Sequence, residues 1–341
     1  MRLFALLAFM AGLGVVTLMV GHYGFADVGA ALSDVGWLGF LTIVTVHLGV
    51  GALCGIAWWV LLPAAEWVPP WMLIWARLVR DGGSEVLPLS QVGGYFLGAR
   101  SATVAGLAGM MAMASSIVDA TMELLGQITY TAVGLGILLA LHPEASVGVL
   151  VAACLAGATG ITIAVILMQR WGFSIIERFA RRILRQWAVS AATGAATIQA
   201  AIRTVYHRRR GLVVSFLLHL AAWVAAAIEP WLALRFMGAP LGFGAVLVVE
   251  SLLYAIRSVA FAVPNALGVQ EGAYILLGGM FGVGPEMALA LSILKRARDL
   301  ALGLPALLSW QAAESGRAWR GSAIRSRRSE RLRGSARPPS P

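Results

Sequence analysis

Charged residues are scarce in this chain, where they make up 12% of the 341 residues. A soluble domain usually carries about 25% charged residues, so the polar surface that such a domain needs in water is missing. Hydrophobic residues instead make up 59% of the chain. This composition excludes an ordinary soluble protein and predicts that lipid covers most of the surface.

Lysine, cysteine and the motifs of metal and nucleotide sites are also rare or absent. Lys295 is the single lysine, and the sequence has no G-x-x-x-x-G-K-[ST] segment, which excludes a P-loop ATPase. Cys54 and Cys154, the two cysteines, lie in apolar segments and are expected to be packed thiols. Because no segment has metal-ligand spacing or a hydrolase motif, we expect no metal, no cofactor and no catalytic residue.

Long apolar runs fill much of the chain. A bilayer core about 30 Å thick needs about 20 apolar residues per helix, and in lipid a helix pairs its own backbone groups. The predicted fold is therefore all-α, a polytopic bundle of about seven to eight membrane segments in residues 1–315. The clearest runs are 3–20, 35–62, 124–141, 147–168 and 211–228.

The positive charge is concentrated in two stretches. Residues 170–210 hold nine arginines and one acid, and the tail 316–341 holds eight arginines and one acid. Arginine collects in cytoplasmic loops, so both stretches and both termini are predicted to be cytoplasmic. We interpret the first stretch as an amphipathic loop on anionic inner-leaflet lipid, not as a nucleic-acid site, and the tail as disordered.

Two segments break the helical pattern between apolar neighbours. Proline removes a helix hydrogen bond and glycine weakens a helix, so neither segment fits a continuous helix in lipid. We predict re-entrant hairpins near 81–119 and 263–285, arranged as a weak internal repeat. Such paired interruptions are typical of the central site of a transporter. The residues that break the pattern are Pro88, Gly93, Gly94, Pro264 and Gly268.

Ionisable residues at bilayer depth need partners or a wet cavity, because each costs roughly 2.5 to 3.5 kcal/mol. Asp119, Glu123 and Gln127 follow at intervals of four and form one polar stripe on a helix. Arginines can clamp a lipid phosphate, or they can form ion pairs that only fix the packing. The further candidates are Arg77, Arg80, Glu85, Arg100, Arg257, Glu271, Arg296 and Asp299. His47 and His219 stand alone on apolar helices and are interpreted as packing residues.

Residues 75–100 and 116–127 resemble the hopanoid-biosynthesis-associated membrane proteins of the HpnL family. That family lies within a larger YbhN-type group, similar to the membrane flippase domain of lysylphosphatidylglycerol synthases, whose second motif resembles Pro264, Gly268 and Glu271. The resemblance covers nearly the whole chain except the tail. It implies a flippase-like lipid transporter of the bacterial inner membrane, with hopanoids or phospholipids as cargo. By position it implies roles for Glu85, Pro88, Gly93, Gly94, Arg100, Asp119, Glu123, Pro264, Gly268 and Glu271.

Three functions remain open at this stage. The leading one is lipid transport, which a cavity lined by both broken segments would favour. The second is an integral-membrane enzyme that uses Asp119 and Glu123 as acid and base on a lipid. The third is a non-catalytic scaffold for lipid-synthesis enzymes, which packed charges without a cavity would favour.

Overall fold

The computed structural model describes residues 2–86, 90–141, 188–260 and 263–335, with five single positions between 156 and 163. Over these residues the secondary structure is helical and contains no strand, which confirms the predicted fold class. Short 3-10 turns lie at Ala64–Glu66 and Pro264–Ala266. The helices are α1 (Arg2–Tyr23), α2 (Phe25–Trp59), α3 (Pro70–Glu85), α4 (Ser90–Val104), α5 (Gly109–Leu141), α6 (Ala188–His207), α7 (Arg209–Ala226), α8 (Ile228–Phe236), α9 (Phe243–Val259), α10 (Val269–Gly279) and α11 (Pro285–Ser335).

Three stretches in the described part of the chain are long and apolar enough to cross a membrane. They are α2, α5 and Arg209–Phe236, which joins α7 and α8. Large apolar side chains such as Trp37, Leu38 and Leu217 are exposed on them, as expected for surfaces that face acyl chains. The predicted run at 147–168 lies almost entirely outside the described residues.

The first predicted hairpin consists of α3 and α4, which pack against each other in antiparallel directions. Its limits are therefore 70–104 rather than 81–119, because the turn follows Glu85 and α5 begins at Gly109. Pro88 comes between the two helices in the sequence and lies outside the described residues. The helices approach closely at Gly94, where an added Cβ would lie 2.6 Å from the carbonyl oxygen of Arg80. Glycine on α4 thus allows the two backbones to touch.

The second broken segment repeats this order of elements. A helix (α9), a break at Pro264, a short helix (α10) and a long helix (α11) follow one another, as α3, the Pro88 break, α4 and α5 do. The predicted hairpin at 263–285 corresponds to the Pro264 turn, α10 and the turn before α11. The two sets also pack reciprocally, since α3 lies against α11 and α9 lies against α5. This reciprocal packing is what the predicted internal repeat would produce.

The two basic stretches contain more helix than the sequence predicts. In the predicted loop 170–210, helix begins at Ala188 and α6 packs against α5, with Ile202 and Val205 buried. The amphipathic part at 173–187 lies outside the described residues. The tail was expected to be disordered from 316, whereas α11 continues to Ser335. Arginine and alanine are good helix formers, and the prolines of the tail come only after Ser335.

Candidate functional site

Two arginines of α3 hold the two carboxylates of α5. Arg80 Nη1 donates to Asp119 Oδ2 at 2.8 Å, and its Nη2 donates to Glu123. Arg77 Nη2 donates to Glu123 Oε1 at 2.6 Å, while its Nε donates to Asp81 at 2.8 Å. The stripe of α5 therefore faces the protein interior, where Arg77 and Arg80 pair with both of its acids.

His219 of α7 completes this first cluster. Its Nε2 lies 2.9 Å from Asp119 Oδ1, and both side chains are fully enclosed. The expectation that His219 stands alone was therefore wrong, because the sequence could not show that α7 lies opposite Asp119. Arg77 Nη1 and His219 Nδ1 are buried and make no hydrogen bond, and Arg77 Nη1 lies 4.0 Å from Asp119. Cys54 is buried and free, as expected.

The two broken segments meet each other directly. Arg257, at the end of α9, contacts both carboxylate oxygens of Glu85 at 3.1 Å. Asn265, in the Pro264 turn, donates from Nδ2 to the backbone oxygen of Glu85 at 2.9 Å. Gln127 of α5 donates to Ser258 Oγ at 2.7 Å and extends the polar contact along α9. The breaks near Pro88 and Pro264 thus share one polar junction.

Glu271 organises the start of α10. Its Oε2 accepts from the backbone N–H of Gly268 at 2.8 Å, which caps the helix. Its Oε1 accepts from Ser292 Oγ at 2.8 Å and from Arg296 Nε at 2.9 Å, both on α11. Gly268 has a φ of 81°, a conformation that glycine adopts without strain. Glu271 therefore joins Gly268, another residue of the second motif, to Arg296 of α11.

A second charged cluster lies among α2, α8, α9, α10 and α11. Lys295 Nζ donates to Glu250 Oε2 at 2.7 Å and to Tyr274 Oη at 2.8 Å. Arg298 pairs with Glu229 and, at 2.7 Å, with Asp299. His47 Nδ1 lies 2.5 Å from Glu229, so the expectation that His47 stands alone was also wrong.

Sequence reasoning missed much of this second cluster. Of its members, only Asp299 was among the predicted site residues. Lys295, the single lysine, and Glu250 carried a usable signal, since both are ionisable residues in apolar helices. Glu229 and Tyr274 gave none that pointed to Arg298 or Lys295.

Arg100 is placed apart from the other predicted site residues. It is exposed and pairs with Glu314 on the outer side of α4 and α11. Gly93 and Gly94 lie on α4 near the junction, and Gly94 is buried between α3 and α4. Among the other predicted residues that the structure describes, Arg77, Arg80, Asp119 and Glu123 belong to the first cluster, Asp299 to the second, and Glu85, Gln127 and Arg257 to the junction. Glu271 and Arg296 pair with each other between α10 and α11.

A small cavity lies beside the second cluster, among α8, α9, α10 and α11. Its volume is about 10 Å³, which holds about one water molecule. Leu234, Val249 and Leu291 line it, together with Glu250, which bears a carboxylate, and Tyr274. A lipid headgroup does not fit this cavity.

Comparison with known proteins shows the family of this chain. A sequence model of the family described as the lysylphosphatidylglycerol synthase TM region matches residues 3–306. No curated protein and no solved structure matches. Since the match covers most of the chain and includes both clusters and the junction, this membrane protein belongs to the lysylphosphatidylglycerol synthase TM region family.

Proposed function

We propose that this protein is a flippase-like transporter that moves a lipid between the leaflets of the bacterial inner membrane. The observation that carries the proposal is the polar junction, where Glu85 contacts Arg257 and Asn265 across two broken helices. Broken helices that meet near charged groups form the substrate site in many transporters. The junction therefore supplies a place where a polar headgroup can pass between the two repeats.

The arginines beside the junction provide the binding chemistry. Guanidinium groups bind phosphate in the same bidentate way in which they bind carboxylate, so a headgroup can replace a carboxylate partner. Arg77 already has an unused donor in Nη1, although the side chain is almost completely buried. The paired state with its small cavity is the closed state of the proposed cycle.

The cargo follows from the charge of the headgroup. A phospholipid gives Arg77 and Arg257 a phosphate to bind, whereas hopanoids are largely neutral and would leave these arginines paired with Glu123 and Glu85. The resemblance to hopanoid-associated proteins supports the second cargo, and the arginines support the first. Both cargoes belong in the same transport experiment.

A scaffold for lipid-synthesis enzymes is the second candidate. The observation that favours it is the pairing of buried charges with one another, as in Arg80 with Asp119 and Lys295 with Glu250. An enzyme is less well supported, because an acid or base must reach its substrate and Asp119 is fully enclosed between Arg80 and His219. Transport experiments separate the first two candidates.

The decisive experiment uses purified full-length protein in liposomes of phosphatidylethanolamine and phosphatidylglycerol. Labelled phospholipid and labelled hopanoid are added separately, and movement between leaflets is measured. We expect the protein to speed the movement of one cargo, and Glu271→Gln to slow it at least about tenfold by releasing Arg296 and the Gly268 cap. Arg100→Gln is the control and should retain the rate, since Arg100 lies apart from the junction. Absence of movement for both cargoes would favour the scaffold.

The orientation and the lipid contacts of the basic stretches complete the proposal. We place both termini and residues 170–210 on the cytoplasmic side, where arginine meets anionic lipid. Protease digestion of the tail in intact cells and in inverted vesicles checks this placement. Cleavage in intact cells, before inversion, would contradict it.

A further inference from the structure

His47 lies where three helices meet, and its ring touches both a carboxylate and a guanidinium group. Nδ1 of His47, on α2, lies 2.5 Å from Oε1 of Glu229, on α8. The same nitrogen lies 2.6 Å from Nη1 of Arg298, on α11. Arg298 Nη1 also contacts Oε2 of Glu229, so the three side chains form a closed triangle.

One ring nitrogen cannot satisfy both neighbours in a single protonation state. When Nδ1 carries a proton, it donates to the carboxylate of Glu229. It then cannot accept a hydrogen bond from the N–H of Arg298, because both groups are donors. Without the proton, the lone pair of Nδ1 accepts from Arg298 and faces a carboxylate oxygen that is also an acceptor. The hydrogen-bond partner of His47 therefore depends on whether Nδ1 carries a proton.

The charges around His47 leave one negative charge uncompensated. Among the described residues, the second cluster contains three acids, Glu229, Glu250 and Asp299, and two bases, Lys295 and Arg298. An unpaired buried charge is costly, so a proton on His47 would bring this group to neutrality. Six charged or titratable groups of α3, α5 and α7 face the first cluster instead, and they are Arg77, Arg80, Asp81, Asp119, Glu123 and His219. Glu85 of α3 pairs with Arg257 of α9, which also faces Asp299, and this pair adds no net charge.

Access to the triangle is uneven. The side chain of His47 is 23% exposed, whereas Glu229 and Arg298 are almost completely buried. His47 is therefore the exposed corner of the triangle, and its two partners are enclosed. His219 offers a contrast, because it is fully enclosed with Asp119.

We propose that His47, Glu229 and Arg298 form a proton-binding switch. A proton taken up by the lone pair of Nδ1 creates an N–H that donates to Glu229, and its release returns Nδ1 to accepting from Arg298. Because the three residues lie on α2, α8 and α11, the exchange changes how α2 is held against α11. The further step, in which the switch couples lipid movement to protons, rests on the proposed function.

The switch is tested by nitrogen NMR on full-length protein labelled with ¹⁵N-histidine in lipid nanodiscs. His47→Gln assigns the signal among the five histidines. We expect Nδ1 of His47 to change from acceptor to protonated donor when the sample is acidified. Glu229→Gln should alter the proton affinity of His47, because the carboxylate that accepts from Nδ1 is removed. The signal of His219 should not respond to Glu229→Gln.

Two NMR results would overturn the switch. One is an Nδ1 of His47 that keeps the same protonation state from pH 8 to pH 5 in the unaltered protein, a result that needs no folded variant. The other is an unchanged proton affinity in Glu229→Gln.

A transport measurement then separates the switch from the proposed function. In the liposomes described above, an imposed pH gradient should change the rate of lipid movement, and His47→Gln should abolish that response. Lipid movement that responds equally in both proteins would overturn the coupling. Absence of any movement, together with the expected NMR behaviour, would overturn the proposed function and leave the proton switch standing.

Discussion

Solvent exposure decides how much a single charged residue contributes in this protein. Asp119 and Asp81 both pair with an arginine of α3, but Asp119 has no exposed surface and Asp81 is 33% exposed. Loss of one partner from a buried ion pair typically costs about 3 to 5 kcal/mol, because the other charge stays buried and unpaired. An exposed pair contributes about 0 to 1 kcal/mol.

We therefore expect Asp119→Asn to lower the free energy of unfolding by about 3 kcal/mol or more. His219 would lose its charged partner, and Arg80 would keep only Glu123. Asp81→Asn is the matched control and should cost less than about 1 kcal/mol. Denaturation of both purified proteins in the same detergent measures the difference. Equal losses of unfolding free energy in the two variants would contradict the burial of Asp119 in the structure.

At the scale of elements, close contact between α3 and α4 positions the arginines of the first cluster. An added Cβ at Gly94 would lie 1.9 Å from Ser84 Oγ and 2.6 Å from the carbonyl oxygen of Arg80. Gly98 is similarly close to Arg80, with an added Cβ 2.9 Å from the Cβ of that arginine. Separation of the two helices would thus move Arg80 away from Asp119.

Gly94→Ala should destabilise the protein by about 1 to 3 kcal/mol through overpacking. Gly136 of α5 is the control, because an added Cβ there meets no other atom within 4 Å. Gly136→Ala should stabilise the helix by up to about 1 kcal/mol, since alanine has the higher helix propensity. Thermal unfolding in detergent measures whether each variant is less or more stable than the unaltered protein. A destabilising Gly136→Ala, or a neutral Gly94→Ala, would contradict the packing of the hairpin.

At the scale of the whole molecule, two similar sets of helices hold each other. Each set has a helix before its break packed on the long helix of the other set, α3 on α11 and α9 on α5. Glycine permits the first contact, since Gly82 and Gly303 touch through their backbones. The pair Glu85 and Arg257 joins the sets at their breaks.

Reversal of charge at this junction should reveal the coupling between the two sets. Glu85→Arg and Arg257→Glu should each lower the free energy of unfolding. The loss in the double variant should be about 0.5 to 3 kcal/mol smaller than the sum of the two single losses. The exposed pair Arg100 and Glu314 is the control, and its recovery should be at most about 1 kcal/mol. Unfolding of the four single and two double variants gives both values. No recovery at Glu85 and Arg257 would mean that the breaks do not contact each other.

The sequence determined the composition-dependent properties of this protein. Apolar runs of sufficient length fixed a helical fold, and Pro88, Pro264 and the nearby glycines marked the breaks, because these depend on local backbone chemistry. The 3.6-residue period also placed Asp119, Glu123 and Gln127 on one face of α5.

Only the tertiary structure decided which charges meet. His219 and Asp119 are 100 residues apart, and His47 and Arg298 are 251 residues apart. The hydrophobic period of each helix specifies its buried face but not the helix that covers it. The partners of the buried histidines, and the position of Arg100 away from the junction, therefore depend on helix packing that the local sequence does not encode.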